Sequence, residues 1–583
     1  MVDHANHRSG GEVKVGGHQA SCASMVSIMT ALWFGHLGGD DKVAVKPHAS
    51  PVYHSIKYLT GELDRSYLTT LRQRGGLQAY PSRTKDPDVS DFSTGSVGLG
   101  AVAPLFSALV KRYLDDHPVA DAPSPGRSRF IALVGDAELD EGNVWEAIAD
   151  PATQGLGDFT MVIDLNRQSL DRVIPDIAAT RLIHFFANAG WHVVEAKFGR
   201  RLLAAFEQPG GEAIRDRIDE MSNEAYQSLF ALDPAAARAK FLDGADPAAA
   251  DALAGMDDAA VKDLVTDLGG HDLEVLLDAF TACDEVTDRP SVVFAYTIKG
   301  WGLPIAGDPL NHAALLTPAQ IDAERERHGL TDATEWDRFD PDSPAGRICA
   351  SVGGELLNAP EIPRPRPALP DRIRAVATSG AASTQEAFGR VLAGLADVDG
   401  VGDRIVTTSP DVSISTNLGG WINKTGVYAP EHRDDHGGAD RLLKWAPSPA
   451  GRHIELGISE MNLFMLLGQL GLAHEHHGQQ LLPIGTVYDP FVLRGLDAFI
   501  YGLYNGARFI VVGTPSGVTL APEGGAHQST VTASVGLELP DVDYAEPAFA
   551  TEVDWLLCDA VDRLGRPDGG STYLRLSTRP LDQ

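Results

Sequence analysis

Two short segments place hard oxygen ligands where predicted strands end. Gly135-Asp136-Ala137-Glu138 follows the apolar run 130–134, and Asn166 ends the run 159–165, thirty residues after Asp136. Parallel α/β sheets bind ligands in the crevice at the carboxyl ends of their strands. A carboxylate and an amide carbonyl suit Mg²⁺, and Gly135 lets a phosphate approach the backbone without meeting a Cβ atom. The pattern predicts a diphosphate and magnesium site. An Asp cap and a turn Asn in an ordinary strand–turn–helix unit are the simpler alternative.

A third acidic group, Glu460, stands at a predicted strand-to-helix junction. The apolar run 453–456 leads into Gly457-Ile458-Ser459-Glu460. A carboxyl group in this position can exchange a proton with a bound ligand. The alternative is an acid in the first turn of a helix, which the helix dipole stabilises.

Two histidines lie in predicted loops. His527 belongs to the glycine-rich stretch 524–528, and His312 belongs to the polar, Gly- and Pro-containing stretch 302–316. Imidazoles titrate near neutral pH and serve in proton transfer, and functional residues are concentrated in loops. The chain has 19 histidines, so a structural role is the alternative for each of them.

The elements that must position these groups alternate between short apolar runs and helical stretches. This order is typical of parallel sheets covered by helices, so we predict an α/β fold. Residues 21–39 have the spacing of a buried helix, and residues 206–290 are predicted to form a helical excursion. The predicted strands lie at 130–134, 159–165, 192–196 and 292–297 in the first half, and at 404–409, 453–456, 481–486, 509–513 and 572–576 in the second.

A proline-rich segment separates the two series of strands. Prolines at positions 360, 363, 365, 367 and 370 exclude a helix or a central strand over 359–371, which predicts an extended linker. We therefore predict a first domain at residues 1–340, a linker at 341–382 and a second domain at 383–583.

Composition limits the class of protein. The 583 residues carry a formal net charge of −32 at pH 7, which argues against nucleic acid and anionic membranes as partners. The N-terminal residues show no secretory signal, and the stretch 21–39 is too polar for a lipid-facing span. The four cysteines form no CxxC pair, which excludes a thiolate zinc site and fits a reducing cytoplasm. We expect a cytoplasmic globular protein that acts on a small molecule.

The segments around these sites resemble the homodimeric pyruvate dehydrogenase E1 family of thiamine-diphosphate proteins. The spacing from Gly135-Asp136 to Asn166 is similar to the thiamine-diphosphate signature, but Ala137 replaces its second glycine, which is tolerated only at negative φ. Further segments resemble the family in one order, at 18–21, 48–53, 76–81, 97–100, 269–272 and 296–300. The resemblance implies two thiamine-diphosphate-binding-fold domains joined by the Pro-rich linker. The first would hold the diphosphate of the cofactor and the second its pyrimidine.

The resemblance also implies roles for individual residues. Glu460 would drive the tautomerisation of the cofactor aminopyrimidine that generates its carbanion. Tyr80 and Lys299 would hold the carboxylate of a 2-oxo acid, with Lys299 also among the cofactor-binding residues. The remaining implied residues are His18, His48, His312, His527 and Asp411 in the substrate channel; Phe491, or else Tyr488, stacked on the pyrimidine; Gly135, Asp136, Ala137, Glu138, Asn166 and Gln168 at the diphosphate; and Asp136, Asn166 and Gln168 as Mg²⁺ ligands.

The implied reaction is oxidative decarboxylation of a 2-oxo acid, with pyruvate as the first choice, and acyl transfer to a lipoyl acceptor. The implied assembly is a homodimer with two sites at its interface, and the implied partner is a lipoyl-bearing acyltransferase. One alternative is a transketolase that moves two-carbon units between sugar phosphates; the segments 76–81 and 269–272 favour the E1 family over it. Another is a degenerate, non-catalytic cofactor-binding homologue, for which Ala137 is the evidence. We expect the N-terminal segment and the C-terminal domain of the family to be missing, which bears on acyl transfer to a multienzyme core more than on cofactor binding.

Overall fold

The computed structural model describes residues 1–8, 15–88, 90–118, 128–168, 178–356, 380–433 and 445–583. The chain divides into two compact units. The first unit comprises Met1–Ala101, Arg129–Glu141 and Gly157–Ala359, and the second comprises Val102–Ser128, Gly142–Leu156 and Pro360–Gln583. Each unit contains a parallel sheet with helices around it, so the predicted α/β class is confirmed.

The first unit is built on a five-stranded sheet with the order β1-β2-β3-β5-β4, in which all neighbours are parallel. Its central strands are buried and apolar, as expected where helices cover both faces. The four predicted strands of this half are confirmed, whereas the three-residue β1 was too short to be seen as a pattern in the sequence. The strands are β1 Lys42–Ala44, β2 Phe130–Gly135, β3 Phe159–Leu165, β4 His192–Ala196 and β5 Ser291–Tyr296.

The second unit contains a six-stranded parallel sheet with the order β11-β12-β10-β9-β7-β8 and a small antiparallel pair, β6 and β13. The five predicted strands are confirmed. The edge strand β11 was not predicted, because it is largely solvent-accessible and lacks an apolar run. The strands are β6 Ala381–Ala382, β7 Ile405–Ser409, β8 His453–Glu455, β9 Leu482–Val487, β10 Ile510–Gly513, β11 Val542–Ala545, β12 Ser571–Arg575 and β13 Leu581–Asp582.

Helices surround both sheets. Those up to residue 242 are α1 Val2–Asn6, α2 Gln19–Gly35, α3 Ser50–Thr60, α4 Leu99–Asp116, α5 Gly142–Ala149, α6 Ala178–Asn188, α7 Arg200–Phe206, α8 Gly211–Glu220, α9 Asn223–Ala231 and α10 Pro234–Leu242. The others are α11 Pro247–Ala252, α12 Asp258–Val265, α13 Leu273–Asp284, α14 Pro318–Arg327, α15 Pro344–Leu356, α16 Thr384–Leu395, α17 Gly419–Thr425, α18 Glu460–Gly471, α19 Ala473–His477, α20 Leu496–Tyr504, α21 Thr532–Glu538 and α22 Ala550–Leu564. Among the described residues, none of these helices has the length and apolar character needed to cross a bilayer.

The region between the two series of strands differs from the prediction at one end. Helix α15 occupies 344–356, inside the predicted linker 341–382, and it begins at Pro344 because proline is tolerated in the first helical turn. The proline-rich stretch 359–371 lies outside the described residues. Helices α7 to α13 fall in the region of the predicted helical excursion. The boundaries of the two predicted domains stay a prediction, and α5 and most of α4 belong to the second unit.

Each unit has its own apolar core. In the first, α2 and α13 pack on the sheet, and Met25, Ile28 and Leu32 of α2 are fully buried against it. In the second, Trp421 and Phe388 are fully buried beside Leu482 and Ile510 of the sheet. These cores hold the strand ends that carry the polar groups described next.

Candidate active site

The ends of β2 and β3 lie side by side and are joined by hydrogen bonds from the backbone. Asp136 Oδ1 accepts from the Ala137 amide at 2.9 Å, and Asp136 Oδ2 accepts from the Arg167 amide at 2.6 Å. Asn166 Oδ1 accepts from the Gln168 amide at 3.0 Å. The two segments that the sequence placed at neighbouring strand ends therefore meet, with their side-chain oxygens in one buried place.

Two residues that the sequence analysis missed control the charge beside Asp136. Asp164, fully buried in β3, accepts hydrogen bonds from Lys46 Nζ at 2.5 Å and from Ser24 Oγ at 2.7 Å. Burial, together with the neighbouring Asp164 charge, raises the pKa of Asp136 to about 6. Asp164 could have been recognised as a charged residue inside the apolar run 159–165. The sequence feature that could have indicated Lys46 is its position two residues before His48.

The donor set at this edge fits a divalent cation. Among the described residues, Gln168 Oε1 is buried without a hydrogen-bond donor, which is costly unless a ligand satisfies it. In the described part of the chain, Asp136 makes no ion pair, although its carboxylate is buried. Oxygen ligands and uncompensated negative charge are what Mg²⁺ requires. Asp136, Asn166 and Gln168 are thus suited to hold this ion.

The turn that follows β2 is fixed by Glu138. Its carboxylate is buried and accepts from the Gly98 amide at 2.9 Å and from the Gly135 amide at 3.4 Å. A Cβ atom on Gly135 would lie 3.1 Å from Lys46 Cε, so glycine allows the lysine to approach. Ala137 is not among the residues with positive φ, so its methyl group causes no backbone strain. The departure from the glycine signature is therefore compatible with the turn.

Three predicted site histidines form a cluster in the first unit, which we call the histidine cluster. The rings of His18 and His48 stack with centroids 3.8 Å apart, and His312 lies 4.6 Å from His18 and 5.2 Å from His48. Tyr80 extends the cluster, with its ring 5.5 Å from that of His48. Lys299 Nζ is 2.9 Å from His312 Nδ1. The structure therefore brings together all five predicted residues of this group.

Electrostatics keep these imidazoles neutral. Burial, followed by the charge of His18 and Lys46, lowers the pKa of His48 to about 2. Burial and Lys299 lower the pKa of His312 to about 4, and burial also lowers the pKa of His18. Imidazoles with pKa values this low are weak bases, so at neutral pH they can donate or accept a hydrogen bond with a bound substrate.

The same three imidazoles have one ligand atom each within 4.8 Å of the others, as a metal centre would. Two observations argue against that use. The rings of His18 and His48 are stacked and nearly parallel, so their in-plane lone pairs lie in two separate planes and do not meet at one point. The ammonium group of Lys299 beside His312 also opposes a second cation. The cluster is better suited to hydrogen bonding with a bound substrate.

In the second unit, Glu460 is the first residue of α18. Its side chain is buried, and Ser459 caps the helix by accepting from the Asn462 amide. Arg494 Nη1 lies 3.7 Å from Glu460 Oε2 and its guanidinium packs over the ring of Phe491 at 4.5 Å. The junction is held further by Asp150, which accepts from the Gly457 amide at 3.1 Å. Arg494 was not predicted from the sequence.

The predicted aromatic residues and His527 lie together. The ring of His527 is 5.6 Å from that of Tyr488 and 5.5 Å from that of Phe491, in edge-to-face orientation with both. Since Arg494 contacts Phe491 as well as Glu460, these residues form one continuous patch. An aromatic ring face and a buried carboxyl group are the components expected of a site for an aminopyrimidine.

Asp411 is not joined to this patch among the described contacts. It follows β7 in the left-handed region at φ 59°, is exposed, and donates its amide to Glu455 Oε1 at 3.1 Å. Glu455 in turn accepts from Ser409 Oγ at 2.8 Å. The role predicted for Asp411 in a substrate channel stays a prediction.

Comparisons with known proteins agree with this geometry. Residues 16–208 match the family model described as "Transketolase, thiamine diphosphate binding domain", and residues 366–576 match "Pyruvate dehydrogenase E1 component middle domain". Among solved structures, a transketolase from Leishmania mexicana superposes with a TM-score of 0.67 at 16% identity, covering 97% of this chain and 77% of that one. A transketolase from Pichia stipitis gives 0.65 at 18% identity, with 100% and 76% covered. The chain therefore has the transketolase-like fold and a thiamine-diphosphate-binding domain.

Within that class, the sequence relatives are more specific. The pyruvate dehydrogenase E1 component of Corynebacterium glutamicum is 28% identical, over 100% of this chain and 67% of its own length. Those of Cupriavidus necator and Escherichia coli are 26% and 24% identical, over 96% and 97% of this chain and 65% and 67% of their own lengths. Over nearly its whole length the chain is therefore similar to pyruvate dehydrogenase E1 components. It spans about two thirds of the length of these relatives.

Proposed function

We propose that the chain is an E1-type enzyme that decarboxylates a 2-oxo acid with thiamine diphosphate and Mg²⁺, with pyruvate as the first substrate to test. The observation that carries the proposal is the place of Lys46. Its ammonium group pairs with Asp164 beside the metal-type donor set, and its charge also acts on all three imidazoles of the histidine cluster. The phosphate-and-metal site and the histidine cluster are thus neighbours. This is required if one cofactor binds at the first site and reacts beside the second.

The residues of the first unit would bind the cofactor and the substrate. Asp136 with Asn166 and Gln168 would hold Mg²⁺, and the glycine turn would receive the diphosphate. Bound thiamine diphosphate supplies the carbanion chemistry that makes loss of CO₂ from a 2-oxo acid feasible. The neutral imidazoles of the histidine cluster would donate a hydrogen bond to the oxygen of the reacting carbonyl. Lys299 supplies positive charge for the substrate carboxylate.

The residues of the second unit would act on the pyrimidine. The Glu460 carboxyl group would exchange a proton at a ring nitrogen, and Phe491 would stack on the ring face. Arg494, which contacts both, would keep these two side chains together. His527 would provide a further proton-transfer group on the substrate side.

Binding is the first experiment. Calorimetry of thiamine diphosphate with and without Mg²⁺ should show binding that depends on the metal. Asp136→Asn should abolish that dependence because it removes the anionic ligand, whereas Asp140→Asn, an exposed acid of the same turn, should bind as the wild type does. Equal affinity of the wild type and Asp136→Asn would refute the metal assignment.

Turnover is the second experiment. Release of CO₂ from pyruvate with an artificial electron acceptor should be measurable and should be lost in Glu460→Gln, while the diphosphate affinity stays nearly unchanged. Exchange of the cofactor C2 proton should slow in the same variant, with Glu538→Gln, an exposed glutamate, as the control. If pyruvate is not decarboxylated and ketol transfer from xylulose 5-phosphate is observed, the E1 hypothesis is refuted in favour of a transketolase. Cofactor binding without either reaction would favour a non-catalytic homologue.

We also propose a homodimer in which each site takes its diphosphate residues from one subunit and its pyrimidine residues from the partner, with a lipoyl group as the acyl acceptor. Mixing inactive Asp136→Asn and Glu460→Gln subunits would then create one intact site in each mixed dimer. Random exchange should restore about a quarter of the wild-type activity. No recovery in dimers shown to have exchanged subunits would contradict the shared site. Acetyl transfer to a lipoyl domain, measured by mass, tests the acceptor.

A further inference from the structure

The carboxylate of Asp489 is the centre of a buried hydrogen-bond network in the second unit. Its side chain is fully buried, directly after Tyr488. It accepts from Thr532 Oγ1 at 2.6 Å and from Arg575 Nε at 3.0 Å. Its other donors are the hydroxyl groups of Ser529 and Tyr573. Buried carboxylates with this many donors are held in one orientation.

Ser529 connects this network to the loop that carries His527. The Ser529 amide donates to the Gly517 carbonyl at 2.8 Å, and the Gly517 amide donates to Ser529 Oγ at 3.0 Å. These two bonds close residues 517–529 into a loop, which we call the His527 loop. Between its ends the loop is largely exposed and includes Gly524 at φ 85°. Its base is therefore its best-fixed part.

Among the described residues, few contacts orient the imidazole of His527. Its Nδ1 atom is buried without a hydrogen-bond partner, and its Nε2 atom is 3.7 Å from Glu523, a residue of the same loop. Its contacts outside the loop are the edge-to-face packing on Tyr488 and Phe491, which flank Asp489 in sequence. Asp489 is thus bonded to the base of the loop and lies in the turn on which the imidazole packs.

We infer that Asp489 is a positioning residue, which clamps the His527 loop to the Tyr488–Phe491 turn so that His527 presents its ring at one fixed place. The clamp acts through Ser529 Oγ, while Arg575 balances the buried charge and also pairs with Glu546 at the surface. The consequence for catalysis rests on the proposed function of His527. The effect of the clamp on the His527 loop itself does not depend on that function.

Ser529→Ala is the first test: it removes the hydroxyl link to Asp489 together with the acceptor of the Gly517 amide, and it leaves the carboxylate with Arg575, Thr532 and Tyr573. Asp489→Asn is the second variant, since it removes the charge of the whole network. Asp489→Asn keeps the acceptor of the Gly517 amide, so it must speed exchange of the loop in the same way if the clamp is the cause. Glu546→Gln is the matched control: it removes the other carboxylate partner of Arg575 and does not touch the loop.

Two measurements are needed. Hydrogen–deuterium exchange of the peptide 517–529 should be at least about tenfold faster in Ser529→Ala than in the wild type or Glu546→Gln, because the base of the loop has lost its anchor. The kcat for pyruvate should fall by about ten- to a hundredfold, which is the scale of a misplaced catalytic group. The dissociation constant of thiamine diphosphate should stay within about threefold, since Phe491 keeps its place.

A double-mutant cycle separates positioning from general loss of structure. In the His527→Ala background, Ser529→Ala should lower kcat by less than about twofold, because the group that the clamp positions is already gone. Full additivity of the two substitutions would overturn the inference, and so would wild-type exchange of 517–529 in Ser529→Ala. If the wild type does not act on pyruvate, the proposed function fails, and the exchange comparison with Glu546→Gln still decides whether the clamp exists.

Discussion

The substitution Lys46→Met tests how the buried charges beside the metal-type site are balanced. Lys46 Nζ lies 2.5 Å from Asp164 Oδ2, and the two side chains are 9% and 0% exposed. Methionine is similar in length to lysine, so the substitution leaves little cavity but removes the charge. Asp164 would keep the hydroxyl donors Ser24 and Thr297 and would stand unpaired beside Asp136.

The expected loss is large because both partners are buried. Removing one partner of a buried ion pair costs about 3–5 kcal/mol, since the other charge stays in a low-dielectric environment. For amides of β2 and β3 that exchange through unfolding of their unit, this loss corresponds to about two to three and a half orders of magnitude in exchange rate. Hydrogen exchange is the appropriate assay, because a chain of two units need not unfold in one step.

The pH dependence gives an independent check on the sign. In the folded protein the pKa of Asp164 is held below its ordinary value of 3.8, with the Lys46 charge as the largest favourable cause working against burial. Its stabilising contribution is therefore present above about pH 4 and is lost as the pH falls through the folded-state pKa. Without Lys46, burial would raise the pKa of this carboxyl group. The deficit of Lys46→Met relative to the wild type should then be largest near pH 8 and shrink toward pH 5.

Two further variants make the result decisive. Lys46→Met combined with Asp164→Asn removes both charges and should recover most of the lost protection. Lys42→Met removes the lysine of a more exposed pair in β1, at 3.7 Å from Asp91, and should cost less than about 1 kcal/mol. Wild-type protection in Lys46→Met, or a double variant no better than the single one, would refute the charge argument.

Three other predictions follow from the site. Ala137→Gly should leave the affinity for thiamine diphosphate within about threefold, because the present φ is already allowed to alanine; calorimetry showing a gain of more than about tenfold would contradict this. Nitrogen-15 spectra should show His48 and His312 neutral from pH 8 down to 5, since their pKa values are lowered to about 2 and 4, and a titration near pH 6.5 would be inconsistent with their burial. Asp86→Asn should speed exchange of the Gln78 and Ser82 amides, on the two sides of Tyr80, by about tenfold, because the Asp86 carboxylate accepts from both amides at 2.7 Å. Unchanged exchange of these two amides would show that Asp86 does not hold the segment around Tyr80.

Much of the fold was accessible from the sequence because apolar runs repeat locally. The strands β2 to β5 were predicted within a residue or two, since each contains a short apolar run. The strands β2, β3 and β5 are almost completely buried, whereas β4 is largely half-buried. The same locality explains the donor set: Asp136 and Asn166 follow their strands directly, so a parallel sheet must bring them to one edge. Two strands of the parallel sheets were not predicted. The strand β1 has only three residues, and the largely half-buried β11 lacks a continuous apolar run.

The electrostatic part of the site was not accessible in the same way. Lys46 and Asp164 are 118 positions apart, and Asp489 and Arg575 are 86 apart, so no local pattern records either pair. Arg494 was missed for a related reason. It lies close to Glu460 in space but follows a different strand, and an exposed arginine in a turn has no distinguishing sequence context.

These missed residues explain why the motif alone does not define the chemistry. Asp136, Asp164 and Glu138 place three buried carboxylates at one strand edge, and Lys46 is paired with only one of them. A diphosphate alone would be repelled by that surplus of negative charge, so its binding has to be coupled to a cation. The donor set at Asp136 would provide the place for this cation, and Lys46 would keep the neighbouring Asp164 from competing for it. The proposed dependence on Mg²⁺ would therefore follow from how this chain distributes its buried charge, and the signature residues are only the part of that distribution that is local in sequence.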